Sequence, residues 1–592
     1  MTRGLSGLRP GAGAGLPWRG VLIVWLLVSA MMLLSGGGRF SPAFFLDGDD
    51  ALRLQQVRDL LAGQSWFDLH QYRIAPPEGV AMHWTRVVDL PLAALILLLR
   101  PVLGQAQAEI VTIVLVPLLS LLCAMALAAR LANREFGPGA GVVAAVLVAA
   151  SVPASFRMMP LRIDHHAWQF VLALVALNGL FARSARSGGV VAGLALALAL
   201  AISLESLPLT VIVGGLCTLR MMRGESAWLI GYLVSLALAS LALFLATRGL
   251  SDLAQHCDAM SPVHVAVLLW IGAGAGIVLP RLRRRPPVAS LVALGLLGLG
   301  GLAIAGTMAR QCLTGDAFAA LDPLVRKVWL DSVLEGLPVW RQEAGLGATM
   351  MLMPLFGLWA CLRLWQRARE IGTRRLWQDY ALVLAGATLV GLLVARASGV
   401  ACLFAAVPAA WQLEDQFNRW REDALLWRRL GRIVLMLALL LPGVLVAQAM
   451  RLVRPSAEPA HTLTEACRFE KAVPALAALP RQTLLTGLDI GPTLLVTTRH
   501  KVVATAHHRA SAAMRDVLDA FLRPDEVARR TMAKRGATLV VICPGGSEAQ
   551  VYARIAPQGF MAHLIAGNAP DWLEPVPIAG QSGVKAWAVR GP

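Results

Sequence analysis

The stretch RIDHHAWQFVLALVALNGLF (162–181) places four ionisable side chains at the start of an apolar run. Such side chains are costly in hydrocarbon and are rare there unless they face water, a partner or an ion. The four residues, Arg162, Asp164, His165 and His166, therefore form either an interfacial cap or part of a polar site. The rest of the chain has to decide between these two interpretations.

The composition assigns the chain to a membrane. Of its 592 residues, 57% are hydrophobic and only 15% are charged, and the mean hydropathy is +0.63. A soluble globular chain carries about 25% charged residues. The net charge of +18 would suit a nucleic-acid partner, but much of it lies in short loops between apolar runs, where it orients helices. We therefore expect no nucleic-acid partner.

Apolar runs long enough to cross a bilayer recur along the chain. They lie at 19–36, 108–130, 139–156, 167–184, 188–206, 207–222, 226–247, 263–280, 288–307, 346–364, 380–395, 397–413 and 432–450. The sequence therefore predicts a mostly α-helical protein with about thirteen transmembrane helices. The first run is too long for a signal peptide and lacks a small-residue cleavage site. A further run at 90–104 is interrupted by Arg100 and Pro101, and it is either a span or an interfacial or re-entrant helix.

The distribution of arginine sets the topology. If 90–104 does not span, the basic segments share one side: 130–134, 183–186, 220–223, 281–285, 363–375 and 419–429. The other side then holds the large loops 37–89 and 308–345 and the tail. We predict an integral protein of a bacterial inner membrane, with a cytoplasmic N-terminus, a transmembrane domain at 1–454 and a periplasmic domain at 455–592.

The tail has the pattern of a small α/β domain. TLLTGL (483–488) and ATLVVICP (537–544) are predicted strands, and SAAMRDVLDAFL (511–522) and RPDEVARRTMAKRG (523–536) are predicted helices.

The eight cysteines divide into two sets. One set falls on the outer side, where oxidation is permitted, and leaves two bridges to be tested, Cys257–Cys312 and Cys467–Cys543. The other set lies in apolar runs and is predicted to pack there: Cys123, Cys217, Cys361 and Cys402.

Three carboxylates, Asp47, Asp49 and Asp50, follow the first span. They either cap the helix that begins near Ala51 or bind a divalent cation that offsets their repulsion. Asp164 lies on the same side of the membrane in the predicted topology. Two outer loops and an imidazole could therefore share one ion, with Mg²⁺ or Mn²⁺ as the expected cofactor.

Five polar segments follow one another along the chain: DGDDALRLQQVRDLL (47–61), PEGVAMHWTRVVDLP (77–91), RIDHHAWQ (162–169), DSVLEGLPVW (331–340) and ARASG (395–399). These segments and their order are similar to those of the catalytic subunits of oligosaccharyltransferases, which are C-class (GT-C) membrane glycosyltransferases. The chain resembles this family over about residues 20–415. The resemblance implies the family's thirteen-helix GT-C fold and transfer of a sugar or oligosaccharide from a polyprenyl-phosphate-linked donor in the membrane.

Carried to this sequence, the resemblance implies a metal site formed by Asp49 or Asp50 together with Asp164 and His166. Asp50 and Asp164 are also expected to act in catalysis. Two adjacent carboxylates at the first-loop position leave the choice between Asp49 and Asp50 open.

The same resemblance gives roles to two later residues. Glu335 would act in catalysis by contacting the acceptor, although it could instead be a loop carboxylate paired with Arg326 or Lys327. Arg396 would bind the donor phosphate. Further candidates are His83 and Asp89 in the second segment and the tail residues His508 and Arg509.

One feature of the family is missing. Its members read an Asn-x-Ser/Thr acceptor with a Trp-Trp-Asp-Tyr-Gly motif, and this sequence contains no such string. The tail instead carries LDIGPTLLVTTRHKVVATAHHR (488–509), whose cluster of His500, His507, His508 and Arg509 is either a solvated turn or a contact to acceptor or headgroup. We expect a glycan or protein acceptor that is not an Asn sequon.

Two other functions stay open. One is a metal-independent C-class transferase that uses a polyprenyl-monophosphate sugar. The other is a transporter or a non-catalytic membrane protein, which charges in the middle of spans would favour. Most charged residues fall at span ends, with Glu205 as a partial exception.

Overall fold

The computed structural model describes residues 15–316, 318–441, 446, 467–578 and 582–590. The second half of the predicted span 432–450 and the predicted domain boundary at 454–455 lie outside the described residues.

Helices dominate the described part of the chain before residue 441. Their bounds are Trp18–Ser35, Gly48–Leu61, Asp89–Phe136, Pro138–Ala150, Val152–Ser155, His166–Leu180, Ala185–Ile202, Leu207–Met222, Ser226–Thr247, Pro262–Arg281, Pro287–Met308, Pro323–Val328, Ala344–Arg367, Ile371–Leu393, Ser398–Glu422 and Leu426–Leu440. The tail adds Phe469–Ala478, Gly491–Thr497, Ser511–Leu522, Asp525–Arg535, Ser547–Ile555 and Phe560–Ala566.

Every predicted apolar run overlaps one of these helices, but the count of thirteen spans is not confirmed. Among the described residues, nine helices are long and apolar enough to cross a membrane, or ten if Pro138–Ala150 and Val152–Met158, bent by 67°, form one span. His166–Leu180 has 15 residues and reaches only about 22 Å at 1.5 Å per residue. Multipass bundles of this kind identify the chain as an integral membrane protein.

The run at 90–104 is not a separate helix. It forms the first part of Asp89–Phe136, which is interrupted at Gly104, where φ is +75°. Glycine adopts this left-handed conformation without a steric cost. Leu98 and Val102 just before the break are 72% and 85% exposed.

Small residues allow close helix packing inside the bundle. Ala185–Ile202 packs against Ser226–Thr247, and a Cβ atom added at Gly189 would lie 2.4 Å from the carbonyl oxygen of Trp228. Helix Ser398–Glu422 is buried over most of its length. Such contacts are typical of helices that associate in lipid, where apolar burial alone gives little driving force.

The tail contains a five-stranded sheet in the order β4-β3-β5-β7-β6. Its strands are β3 (Thr483–Thr486), β4 (Lys501–Val502), β5 (Ala537–Ile542), β6 (Leu573–Val576) and β7 (Lys585–Val589); the outer loop 37–89 holds the hairpin β1 (His70–Gln71) and β2 (Val80–Ala81). Strands β4, β3 and β5 are parallel, and β7 pairs antiparallel with β5 and β6. Both predicted strands and both predicted helices of the tail are confirmed.

The sheet shares its core with the first outer loop. Ile74 forms a parallel bridge with Val502 at the sheet edge, and Trp84 belongs to the same buried cluster as Leu484. The Arg73 guanidinium donates to the backbone oxygens of His500 and Leu495 at 2.6 and 2.9 Å. The tail is therefore fixed against the loop that carries the first-loop carboxylates.

Both disulfides that the sequence left open are present. The Cα atoms are 5.1 Å apart in Cys257–Cys312 and 6.0 Å apart in Cys467–Cys543. Cys217, Cys361 and Cys402 are buried as predicted, but the prediction was wrong for Cys123, which is exposed on the outside of its helix.

Segments predicted to lie on the same side contact one another. Asp379, which immediately precedes the predicted span 380–395, pairs with Arg220 and Arg223 of a segment predicted to be cytoplasmic, at 2.8 and 2.6 Å. On the predicted outer side, Asp322 of loop 308–345 pairs with Arg515 of the tail at 3.1 Å. The grouping of segments agrees with the arginine distribution, and the absolute orientation in the membrane stays a prediction.

Candidate active site

The first-loop carboxylates have three different surroundings. Asp47 is the N-cap of helix Gly48–Leu61, and its side chain accepts a hydrogen bond from the Asp49 backbone N–H at 3.2 Å. The capping interpretation therefore applies to Asp47. Asp49 and Asp50 lie in the first turn with their side chains free for other contacts.

Asp50 joins the first loop to the segment RIDHH. Its Oδ1 accepts from the backbone N–H groups of Ile163 and Asp164 at 2.7 and 2.9 Å, and its Oδ2 lies 2.8 Å from Nη1 of Arg162. In this fully buried carboxylate, Oδ1 is hydrogen-bonded, whereas Oδ2 has the ion contact with Arg162 but no hydrogen-bond partner. Asp50 thus brings Asp164 next to the first loop.

Asp164 forms a buried cluster with the two histidines that follow it. Its Oδ1 lies 2.5 Å from Nδ1 of His165, and its Oδ2 lies 3.5 Å from Nε2 of His166. One ligand atom from each residue lies within 4.8 Å of the others. Asp164 Oδ2 and His165 Nε2 are buried without a hydrogen-bond partner. Orphaned acceptors of this kind are what a cation would satisfy, so the residues fit a divalent metal.

Asp49 faces the tail. Its Oδ1 lies 2.9 Å from Nε2 of His507, and its side chain is 34% exposed. Desolvation raises the pKa of Asp49 well above its usual range, and repulsion from Asp47 and Asp164 adds to the shift. Asp49 is therefore the first-loop carboxylate that combines access with a need for positive charge.

Glu335 and Arg396 meet on the open side of the cluster. Glu335 pairs closely with Arg157 through Oε2, while its Oε1 lies 3.6 Å from Nη1 of Arg396. Arg396 also contacts Glu205 at 2.8 Å. Arg326, one of the alternative partners considered for Glu335, instead pairs with Asp316 at 2.8 Å.

Charge around the Asp164 cluster is not balanced. Its ionisable groups are six carboxylates, Asp47, Asp49, Asp50, Asp164, Glu205 and Glu335, and four guanidinium groups, Arg53, Arg157, Arg162 and Arg396. The excess is two negative charges when the imidazoles are neutral, the state in which histidine binds metal. Extending the network to Asp89 and its second partner Arg86 leaves this excess unchanged.

The pKa directions reflect the same imbalance. Burial, with repulsion from Asp47 and Asp164, raises the pKa of Asp50 to about 8 despite the attraction of Arg162. Burial alone would raise the pKa of Asp164 too, but its contact with His165 holds that pKa well below its usual range. The cluster therefore either takes up protons or takes up a cation.

Asp89, a further candidate from the sequence, lies in a buried structural network. Its Oδ1 accepts from Arg53 at 2.9 Å, and its Oδ2 lies 3.3 Å from Arg86. Arg53 is stacked over Trp84 and lies 4.0 Å from Asp164. Asp89 therefore acts on the cluster through Arg53.

The remaining candidates, His83, His508 and Arg509, form a second group around Asp258, a residue that the sequence did not single out; we call these four residues the Asp258 clasp. Asp258 accepts from Nε and Nη2 of Arg509, each at 2.8 Å, and lies 2.7 Å from Nε2 of His508. The rings of His83 and His508 are 4.7 Å apart. The clasp joins the tail to the segment that carries Cys257.

Sequence reasoning missed Arg53, Arg157 and Glu205 as parts of the site. Glu205 gave a weak signal as a charge near the end of a span, and Arg157 as an arginine in a segment predicted to lie on the outer side. Arg53 had no local signal, because its importance comes from burial between Asp89 and Asp164.

The helix bundle, the outer loops and the C-terminal α/β domain share the fold of solved archaeal oligosaccharyltransferase structures. The archaeal oligosaccharyltransferase AglB from Archaeoglobus fulgidus, in complex with an inhibitory peptide and a dolichol-phosphate, matches with a TM-score of 0.67 at 15% identity, over 97% of this chain and 74% of that one. The apo form of the Archaeoglobus fulgidus enzyme gives 0.68 at 15% identity, over 91% and 71%. Its complex with Zn and sulfate gives 0.57 at 16% identity, over 88% and 68%. No protein-family model and no curated relative matches the sequence.

Proposed function

We propose that the protein is a membrane glycosyltransferase that moves a sugar or oligosaccharide from a polyprenyl-phosphate-linked donor to an acceptor at the outer face of a bacterial inner membrane. The observation that carries the proposal is the excess of two carboxylates over guanidinium groups around the Asp164 cluster, beside an arginine, Arg396, on the open side of the site. A divalent cation and a phosphate-bearing donor together would complement this arrangement. The shared fold with an enzyme solved with dolichol-phosphate supports the donor class.

The metal would be Mg²⁺ or Mn²⁺, held by Asp49, Asp164 and His166. Asp49 is favoured over Asp50 because its side chain is 34% exposed, whereas Asp50 is fully buried and lies 2.8 Å from the guanidinium of Arg162. When bound, such an ion stabilises negative charge on a departing phosphate oxygen.

Arg396 would bind the donor phosphate. Its guanidinium is shared between Glu205 and Glu335 at 2.8 and 3.6 Å, and a planar fork of donors suits a phosphate. In the reaction, the bond between the anomeric carbon and the phosphate oxygen breaks, and a bond from the acceptor atom to that carbon forms. The phosphate oxygen keeps the bonding electron pair.

Glu335 would orient the acceptor. A carboxylate can accept the hydrogen bond of an incoming hydroxyl or amide and then take its proton as the new bond forms. The Arg157 contact, together with the more distant Arg396, keeps the pKa of Glu335 below its usual range although burial raises it. Glu335 is therefore ionised at neutral pH. Because the sequon-reading motif is missing, we propose a glycan hydroxyl as the acceptor.

The test uses the purified protein in nanodiscs with a polyprenyl-linked glycan donor, Mn²⁺, and two acceptors, a sequon peptide and a surface-glycan precursor. We expect Mn²⁺-dependent transfer to the glycan precursor, and mass spectrometry measures the product. Transfer to the peptide would overturn the acceptor class, and equal transfer in the presence of EDTA would overturn the metal. Absence of transfer from both monophosphate- and diphosphate-linked donors would overturn the function.

A further inference from the structure

A helical hairpin between two predicted spans carries a concentration of arginine. A short turn joins helix Ser398–Glu422 to helix Leu426–Leu440, and the two helices pack against each other. We call residues 415–440 the basic hairpin, because they include five arginines and three acidic residues. The predicted spans 397–413 and 432–450 flank the turn, so we expect it at a membrane surface, on the side predicted to be cytoplasmic.

The protein balances only part of this charge. Arg419 lies 3.0 Å from Asp415, and Nε of Arg432 contacts Asp423. The other arginines of the basic hairpin have no carboxylate oxygen within 4.0 Å among the described residues: Arg421, Arg428 and Arg429. The hairpin therefore presents guanidinium groups that are available to an anion from outside the chain.

A shallow cavity of about 380 Å³ lies beside one of these free guanidinium groups. Arg428 stands over the indole of Trp427, with 5.1 Å from its guanidinium carbon to the ring centroid. The wall of the cavity is held by Gln416, whose side-chain oxygen accepts from Nη1 of Arg432 at 2.9 Å. The lining residues are Gln416, Trp427, Arg428, Gly431, Arg432 and Leu435. Guanidinium groups suit a phosphate at such a place.

The cavity borders an apolar face of the second helix. Four side chains at helical spacing are between 43% and 71% exposed: Leu426, Leu430, Val434 and Leu437. Trp427, Gly431 and Leu435 of the cavity each follow one of these residues by one position, which is about 100° around the helix. A basic cavity and an apolar face therefore lie side by side, as the head group and the acyl chains of a phospholipid do.

We propose that the basic hairpin binds an anionic phospholipid, with its phosphate at Arg428 in the cavity and its acyl chains along the face of Leu430 and Val434. Basic pockets between membrane helices on the cytoplasmic side bind anionic head groups in this way. The lipid supplies the negative charge that the hairpin lacks. The site shares no residue with the candidate active site, so the inference does not depend on the proposed function.

Two substitutions separate the charge from the cavity. Arg428→Gln removes the free guanidinium, whereas Gly431→Leu fills the cavity without a change in charge. Nothing lies within 4 Å of a Cβ atom added at Gly431, and leucine is the better helix former, so this variant should fold. Arg284→Gln is the matched control, because Arg284 is exposed, lies on the same predicted side and has no carboxylate partner among the described residues.

The purified full-length proteins are titrated with phosphatidylglycerol and with phosphatidylcholine at constant ionic strength. Native mass spectrometry measures the Kd of the first lipid bound, and Tm checks the fold. We expect the wild type to prefer phosphatidylglycerol by about 5-fold or more, and Arg428→Gln to lose about 5-fold in that affinity, the contribution of one arginine at a lipid surface. Gly431→Leu should also bind phosphatidylglycerol more weakly, and Arg284→Gln should match the wild type.

Three results would overturn the inference. Equal affinity of the wild type for the two lipids would remove the anionic head group as the ligand. Equal losses in Arg428→Gln and Arg284→Gln would show that net charge alone attracts the lipid, and wild-type affinity in Gly431→Leu would show that the cavity is not the site. Inorganic phosphate serves as a competitor and should leave the lipid bound, because it lacks acyl chains. Displacement of phosphatidylglycerol by phosphate would assign the cavity to a free anion and reject the lipid.

Discussion

Two groups of histidine and aspartate at the outer end of the molecule look alike by distance and differ in charge. Asp164, His165 and His166 bring their ligand atoms within 4.8 Å of one another, and so do His83, Asp258 and His508. In the first group, Asp164 Oδ2 has no hydrogen-bond partner and is surrounded by surplus carboxylates. In the Asp258 clasp, both carboxylate oxygens accept from Arg509.

The difference teaches that ligand spacing alone does not define a metal site. A guanidinium that binds both oxygens neutralises a carboxylate and occupies its lone pairs. The Asp258 clasp is therefore complete without an ion and serves to hold the tail in place. The Asp164 cluster is incomplete, because its charge and its orphaned acceptor both call for a cation.

The largest expected effect breaks the Asp164 cluster. Asp164→Asn removes a ligand and one negative charge, so we expect loss of Mn²⁺ binding and a fall in transfer of about 100-fold or more, the size seen for a major electrostatic group. Asp258→Asn is the matched control and should keep activity within a few-fold. Mn²⁺ titration and donor turnover measure both. Equal losses in the two variants would contradict the distinction between the groups.

The next effect concerns donor binding beside the cluster. Arg396→Ala should weaken donor binding by about 10-fold or more, and Arg396→Lys should recover only part of it, because an ammonium keeps the charge but lacks the planar fork. Binding of a fluorescent polyprenyl phosphate to the nanodisc protein measures the change. The control is Arg326→Lys, since Arg326 pairs with Asp316 away from the site. Unchanged donor affinity in Arg396→Ala would remove the residue from the donor site.

Much of the fold could be predicted from the sequence, because the local apolar composition of a segment indicates a membrane helix. Every predicted apolar run overlaps a helix, and the predicted strands and helices of the tail are present. The number of membrane-spanning helices could be predicted less well. A bent pair of helices and the short helix His166–Leu180 do not have the length expected of a straight spanning helix. The interruption at Gly104 could not be predicted from apolar pattern alone.

The candidate site could be predicted from the sequence only in part. A cluster of ionisable residues such as RIDHH can be recognised in the sequence. The contact between Arg157 and Glu335 cannot, because the two residues are 178 positions apart. Nothing local shows that Asp47 caps a helix and that Asp50 is buried against Arg162, since adjacent carboxylates look equivalent in a sequence. Their different surroundings come from the packing of the tail and of the segment RIDHH (162–166) against the first loop.

A smaller effect tests the structural role of the Asp258 clasp. Asp258→Asn leaves the partly buried Arg509 without its counter-charge, which costs about 1–3 kcal/mol. We expect a lower Tm and faster proteolysis at the junction between the tail and the segment that carries Cys257. His563→Leu breaks the more exposed pair of His563 with Asp525, in which the His563 side chain is 33% exposed. This variant should have less effect on Tm. A Tm of Asp258→Asn equal to that of the wild type would show that the clasp does not stabilise this junction.

The smallest expected effect is a pH dependence that separates the two groups without a substitution at the Asp164 cluster. Burial would raise the pKa of Asp258, but its hydrogen bonds from His508 and Arg509 hold that pKa far below the usual range. A carboxyl group with a depressed folded pKa contributes stability that is present above its unfolded pKa of about 3.9 and is lost as the pH falls below that value. Stability from the clasp should therefore be constant from neutral pH down to about pH 5 and decline below about pH 4.

Mn²⁺ binding at the Asp164 cluster should decline at a higher pH than this, because the pKa of Asp49 is raised and protons compete with the ion at that carboxylate. Thermal unfolding and Mn²⁺ titration over the same pH series measure the two declines, with Asp258→Asn as the variant whose Tm should lose the acid-dependent component. Coincident declines in the wild type would show that the two groups titrate as one unit.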